Sequence, residues 1–239
     1  MRLWDKIRRK VRKICFNWKE KRLKPIHVFL FHQVSDEFDE STMIQCDWSR
    51  TDQFKHNVIE LKKRYTFISL ERAYSKMKND VFRFRNYAVM TSDDGWASLK
   101  NILPWLKEQE IPVTLFLNPG YFDGQHFRER ASEKYLLEND INEIATSFHN
   151  VSFGMHGWEH VRATDKDEDG FRSDVEHTMH ALQAHKCFVP FYAYTWGKYN
   201  KMTGRVLSDL GVVPVMIDNE TNRDDLSCIH RELLDGMKL

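Results

Sequence analysis

The chain has 239 residues, 41% of them apolar and 30% charged, enough for one globular domain with a sizeable core and a short appendage. An aromatic content of 13% and a mean hydropathy of −0.60 exclude a disordered or fibrous chain, and no apolar run approaches the ~18 residues of a membrane span. The net charge of +1 hides an asymmetry: residues 1–24 carry eleven Lys or Arg against Asp5 and Glu20, which leaves 25 bases and 33 acids in the remainder. An acidic body argues against a nucleic-acid partner.

In chain order, the first element is basic and helical in period. Leu3, Trp4, Ile7, Val11, Ile14, Cys15 and Trp18 recur at three- and four-residue steps, with Lys and Arg on the other face. Such a helix over residues 1–24 suits an anionic membrane surface, or else packs on the domain as its first helix; Lys24-Pro25 ends it. Its apolar residues are interleaved with charge, unlike a signal peptide. Cys15, Cys46, Cys187 and Cys228 stand far apart with no C-x-x-C pair, as expected of reduced thiols. Together these features predict a cytoplasmic protein, peripheral on the inner membrane face.

Residues 25–239 read as one domain. Strands are expected at Ile26–His32, Tyr87–Thr91, Val113–Asn118, Val151–Met155, Val189–Tyr194, Val212–Ile217 and Ser227–His230. Helices are expected near 51–64, 97–109, 133–148, 168–186 and 201–210. This alternation predicts an α/β fold with a mainly parallel sheet, open or closed into a barrel.

Ligand-type residues fall just after the strands: His32, Asp93 and Asp94, His156 and His160, Trp196, His230. In parallel α/β folds the carboxyl ends of strands share one face, where sites form. Thr91-Ser92-Asp93-Asp94-Gly95 runs a strand into paired carboxylates, which is costly unless the charges are used. Adjacent side chains on an extended segment point opposite ways, so one aspartate can bind a metal while its neighbour acts as base; alone, the same stretch suits a turn that caps the next helix. His156 and His160, at i and i+4, can meet one cation as on a helical turn. One Asp and two His leave an open position for water, the catalytic arrangement of zinc.

TSDDGW, GMHGWEH, FYAYTWGKYN and CIHRELL resemble, in order, the motifs of the polysaccharide deacetylases, the NodB-homology proteins of carbohydrate esterase family 4. FLFHQVSD resembles their first strand, and ILPWLKEQEIPVTLFLN their helix and strand after the Asp pair. The resemblance covers about residues 26–235. It implies a distorted (β/α) barrel of about seven strands that removes an N- or O-acyl group from a sugar with a divalent metal: Zn2+, with Co2+, Ni2+ or Fe2+ as alternatives. By position, Asp94, His156 and His160 resemble the metal ligands and Asp93 the general base. The Trp196 N–H resembles the oxyanion donor, and His230 the acid that protonates the leaving amine. His32 is the alternative acid, and His32, Tyr194 and Trp158 are expected to face the sugar. The family usually has Phe where Ser92 stands, and many members have a base-bracing Arg where this chain has Ala193. Arg231 could reach the same carboxylate from a neighbouring strand, and relatives that read Ile-Pro-Arg in this stretch would put Arg231 in place of His230. The substrate implied is an N-acylated saccharide, as a polysaccharide or a lipid-linked precursor, most simply N-acetylated. A deformylase, an O-deacetylase and an inactive carbohydrate-binding relative are the other readings.

Overall fold

The structure is a computed structural model that describes residues 23–36, 48–124 and 135–235. Strands β1 (Ile26–Phe31), β5 (Tyr87–Ser92), β6 (Val113–Leu117), β7 (Val151–Met155), β8 (Phe188–Ala193) and β9 (Val213–Val215) lie parallel in sequence order, and β10 (Glu232–Leu233) pairs with β1 on its other side. The C-terminal segment closes the curl. Val215 bridges to Ile229, Met216 N–H donates to the Ile229 carbonyl and Leu234 N–H to the Leu30 carbonyl, so residues 229–234 bond to β9 on one side and to β1 on the other. The distorted (β/α) barrel implied by the sequence is therefore present.

Each strand is apolar on both faces because both are covered, as parallel sheets require. Alternate residues divide between two cores. Val28, Val89, Phe116, Val189, Phe191, Ala193, Val215 and Ile229 fill the barrel; Phe29, Met90, Leu115, Leu117, Phe153, Met155 and Tyr192 face the helices. Phe116 fits because Gly154 lies across from it: a Cβ there would sit 2.5 Å from the Phe116 ring. The outer layer comprises α1 (Thr51–Arg64), α3 (Leu99–Glu108), α4 (Glu138–Ser147), α5 (Glu168–Gln183) and α6 (Lys201–Asp209), close to the ranges expected.

One helix escapes the sequence reading. In α2 (Leu70–Asn79), Ser69 caps the N-terminus by accepting from Arg72 N–H. Leu70, Ala73 and Met77 join the inner core and plug the barrel at the amino-terminal ends of its strands. A stripe of three apolar positions, one of them alanine, is a weak periodic signal. Three short strands are also unforeseen: β4 (Thr66–Phe67) pairs with β5, while β2 (Gln33–Val34) and β3 (Trp48–Ser49) pair with each other.

The last strand is misplaced by the sequence reading. Ser227–His230 contributes only the bridge at Ile229, and the strand is Glu232–Leu233. Among the described residues no helix is long and apolar enough to cross a membrane, and Cys187 and Cys228 are free thiols. Cys15, Cys46 and almost all of the basic helix expected over residues 1–24 lie outside the described residues.

Candidate functional site

Beyond Ser92 the backbone leaves extended geometry. Asp94 and Gly95 both adopt φ of 71°, a left-handed conformation that Asp and Gly tolerate best. The turn aims the two carboxylates apart. Asp93, 1% exposed, faces the barrel interior; Asp94 faces the loop after β7.

That loop holds the two histidines. Gly157 (φ 80°) and His160 (φ 53°) coil it, so the pair meets across a loop instead of along the helical turn suggested by the i, i+4 spacing. Asn118, at the end of β6, donates through Nδ2 to the carbonyls of His156 (2.7 Å) and Gly157 (3.0 Å) and ties two strand ends together. His156 Nδ1–H donates to the Ala193 carbonyl at 2.8 Å, which leaves Nε2 with the lone pair. The Nε2 atoms of His156 and His160 stand 3.2 Å and 3.1 Å from the same oxygen, Asp94 Oδ1. That oxygen is buried and receives no hydrogen bond, while Oδ2 accepts from Trp96 Nε1 at 3.1 Å. Two imidazole nitrogens and a carboxylate oxygen thus lie within 4.8 Å of one another, each able to offer a lone pair to one cation. The donor set therefore fits a divalent metal of the zinc type, and the Trp96 and Ala193 contacts are the outer support such ligands need.

Arg231 holds the other aspartate. Its guanidinium meets Asp93 in a two-pronged pair, Nη1 to Oδ1 at 2.6 Å and Nη2 to Oδ2 at 2.8 Å. Nε donates to the Met216 carbonyl, and the group lies 5.2 Å from the Phe116 ring centre with no exposure. Burial raises the Asp93 pKa, but Arg231, His156 and His32 together outweigh it and hold the carboxyl below its usual range. The brace that the resemblance led one to expect on β8, where this chain has Ala193, thus comes from Arg231 in the C-terminal segment.

His32, at the end of β1, lies in the same charge field. Its Nδ1 is 2.9 Å from Asp235 Oδ2, which also accepts from the His32 backbone N–H at 3.0 Å; Ser49 Oγ donates to Oδ1. Burial lowers the imidazole pKa, yet the Asp235 bond and the charges of Asp94 and Asp93 raise it to about 9. These carboxylates favour the protonated imidazole. Asp235 is a site residue that the sequence reading missed, one position beyond the quoted CIHRELL.

Three expectations need correcting. His230 is not with the cluster: its Nδ1 contacts Asp218 Oδ2 at 2.7 Å and its Nε2 faces Cys228. It alternates with Ile229 and Arg231, whose side chains point into the barrel, so it points out. Tyr194, expected to face the sugar, points away from the barrel interior. It is 1% exposed and packs with Tyr192 and Tyr199, because Ala193 takes the inward position. Trp158 turns its indole away, stacking on His177 at 3.6 Å, and packs against Gly120. Trp196 does border the cluster: it is 39% exposed, its backbone is left-handed at φ 59°, and its ring centre is 5.3 Å from that of His160.

No curated protein matches the chain in sequence. Among solved structures it resembles IcaB from Ammonifex degensii at a TM-score of 0.74 and 18% identity, over 89% of this chain and 92% of that one. It also resembles the Streptococcus pyogenes deacetylase PplD, solved with acetate, at 0.72 and 18%, over 89% and 93%. A de-N-acetylase from Aggregatibacter actinomycetemcomitans matches at 0.73 and 15%, over 90% and 97%. At these identities the likeness speaks for the barrel. A family model described as polysaccharide deacetylase matches residues 84–215, which span the Asp pair, both histidines and Trp196. More than half the chain is matched, so it belongs to the polysaccharide deacetylase family, hydrolases that act on the carbon–nitrogen bond of N-acetylated sugars.

Proposed function

We propose that this chain is a metal-dependent N-deacetylase acting on an N-acetylated sugar of a polysaccharide or of a lipid-linked glycan precursor. The observation that carries the reading is the buried, donor-free Asp94 Oδ1 facing two imidazole nitrogens. Asp94, His156 and His160 would hold a divalent ion, Zn2+ first and Co2+, Ni2+ or Fe2+ as alternatives, whose charge would polarise the acetamide carbonyl and acidify a water.

The remaining roles belong to the protein. Asp93, kept ionised by Arg231, is placed to accept the proton of the attacking water. The Trp196 N–H, beside His160, serves as the donor for the developing oxyanion. An amine leaves only when protonated, and His32 is the imidazole whose protonation both aspartates favour; it is the acid, and Asp235 favours its charged form. His230, bonded to Asp218 on the outer wall, does not serve. The basic segment 1–24 and the free thiols support action at an anionic membrane surface on its cytoplasmic side.

The test is release of acetate, with formate read in parallel, from metal-loaded protein given N-acetylated oligosaccharides, lipid-linked N-acetyl sugars and their N-formyl and O-acetyl counterparts. Acetate from the N-acetyl compounds is expected. Turnover confined to formyl or O-acetyl compounds would reassign the acyl group, and none on any compound would leave a carbohydrate-binding relative.

A further inference from the structure

His230 is the motif residue that the chemistry above leaves unused, and its surroundings form a second constellation. Cys228 and His230 lie two residues apart on extended chain and therefore share a face, here the outer wall of the barrel. Cys228 Sγ is 3.5 Å from His230 Nε2, and His230 Nδ1 is 2.7 Å from Asp218 Oδ2. Both Cys228 and His230 are half-buried and reachable from solvent.

A thiol, an imidazole and a carboxylate in this order can be a nucleophile with its base or a pair of metal ligands with an outer-sphere partner. The surrounding field decides between them. Reactive thiolates sit in electropositive surroundings, whereas here burial pushes the Cys228 thiol up, and the charges of Asp225, Asp218 and Glu220 add to it against a hydrogen bond from Ser227. Negative charge around the sulfur repels a lone thiolate and attracts a cation. Geometry agrees. Sulfur and nitrogen bound tetrahedrally at ~2.3 Å and ~2.0 Å stand roughly 3.5 Å apart, and a carboxylate on the far ring nitrogen is the usual orienting partner of a metal-bound histidine. We propose that Cys228 and His230, oriented by Asp218, form a second cation site on the outer wall, for a thiophilic divalent ion such as Cd2+ or Zn2+, with solvent completing its coordination.

The test uses the full-length, metal-loaded protein with Cys15, Cys46 and Cys187 changed to Ser, so that Cys228 is the sole thiol. Titration with Cd2+ is followed by ultraviolet thiolate-to-metal charge transfer, to which the Asp94, His156 and His160 cluster, having no sulfur, contributes nothing. A band saturating at one equivalent is expected. It should vanish in Cys228→Ser and shift its midpoint at least tenfold in both His230→Ala and His230→Gln. Asp218→Asn should weaken binding by ~10- to 100-fold, the usual cost of losing an orienting partner. In the unsubstituted protein, saturating Cd2+ should shield Cys228 from iodoacetamide. A missing band, an unshielded Cys228, or a midpoint indifferent to both His230 variants would overturn the site.

Discussion

Asp235→Asn is the substitution whose effect can be worked furthest from the structure. Asp235 bonds to His32 through both the ring and the backbone, and its hydrogen bond does most among its neighbours to raise the imidazole from 6.5 to about 9 against the pull of burial. A rise of that size is worth roughly 3 kcal/mol between the two protonation states. With an amide in place of the carboxylate, burial acts with less opposition and the pKa falls toward the ordinary value. With His32 as the proposed acid, its protonated form is needed for turnover, so activity should be lost as pH rises through its pKa. A return to the ordinary 6.5 would drop the protonated fraction at pH 8 by roughly thirtyfold. The assay is kcat/KM for acetate release against pH, paired with NMR titration of the His32 ring. The alkaline limb should lie above 6.5 in the unsubstituted enzyme and move down in Asp235→Asn, with His230→Ala leaving it in place. Stability follows the same sign: a raised pKa stabilises the fold fully below about 6.5 and loses that contribution by about 9, so the two proteins should differ more in melting temperature at pH 6 than at pH 10. Coincident limbs, or a limb moved by His230→Ala alone, would refute the assignment of His32.

Asp93→Asn should cut turnover by ~10²- to 10⁴-fold and also lower the melting temperature, because it leaves Arg231 charged, buried and without its carboxylate. Arg231→Met, stranding Asp93 instead, should cost ~3–5 kcal/mol in denaturant titration. Metal analysis of His156→Ala and His160→Ala should show content well below that of the unsubstituted protein, and Trp96→Phe should weaken affinity by ~10- to 100-fold through the lost bond to Asp94; full occupancy in both histidine variants would exclude the cluster. Deleting residues 1–22, which spares Leu23 and Lys24 and their bonds to Arg83 and Arg223, should abolish binding to anionic vesicles without a change in melting temperature. A large fall in melting temperature, with no vesicle binding by either form, would mean that the segment packs on the barrel.

Much of the site was legible because parallel strands deliver their carboxyl ends to one face, so residues that merely follow apolar runs become neighbours. Asp93, Asp94, His156, His160 and His32 were found by that reasoning. What failed was parity. Ala193 faces inward beside Phe191, which sends Tyr194 out to the helices; Ile229 and Arg231 face inward, which sends His230 out. A sequence shows alternation but not which half is inside, and in a barrel covered on both faces the two halves are equally apolar. Asp235 was beyond reach for another reason: its partner His32 is 203 residues away, and no local pattern announces such a contact. Arg231 was within reach through the resemblance alone, as a substitute for an Arg missing from β8 and as the Arg of an Ile-Pro-Arg stretch.

The floor of the barrel has a consequence for reach. Leu23 bridges to Arg83, the Arg83 guanidinium grips the Lys24 carbonyl and Arg223 donates to the Leu23 carbonyl, all at the amino-terminal ends of the strands, beside the α2 plug. The catalytic mouth opens at the other end, a strand of six residues or ~20 Å away. A protein moored by the residues before Leu23 would hold that mouth off from its mooring like a lamp on a post. Sugars lying flush with the surface would fall short of it, while a glycan already several units long could climb to it. Substrate length, ahead of sugar identity, becomes the variable to scan: turnover on membrane-bound chains should switch on above a threshold number of sugars, and removing the mooring should erase that threshold.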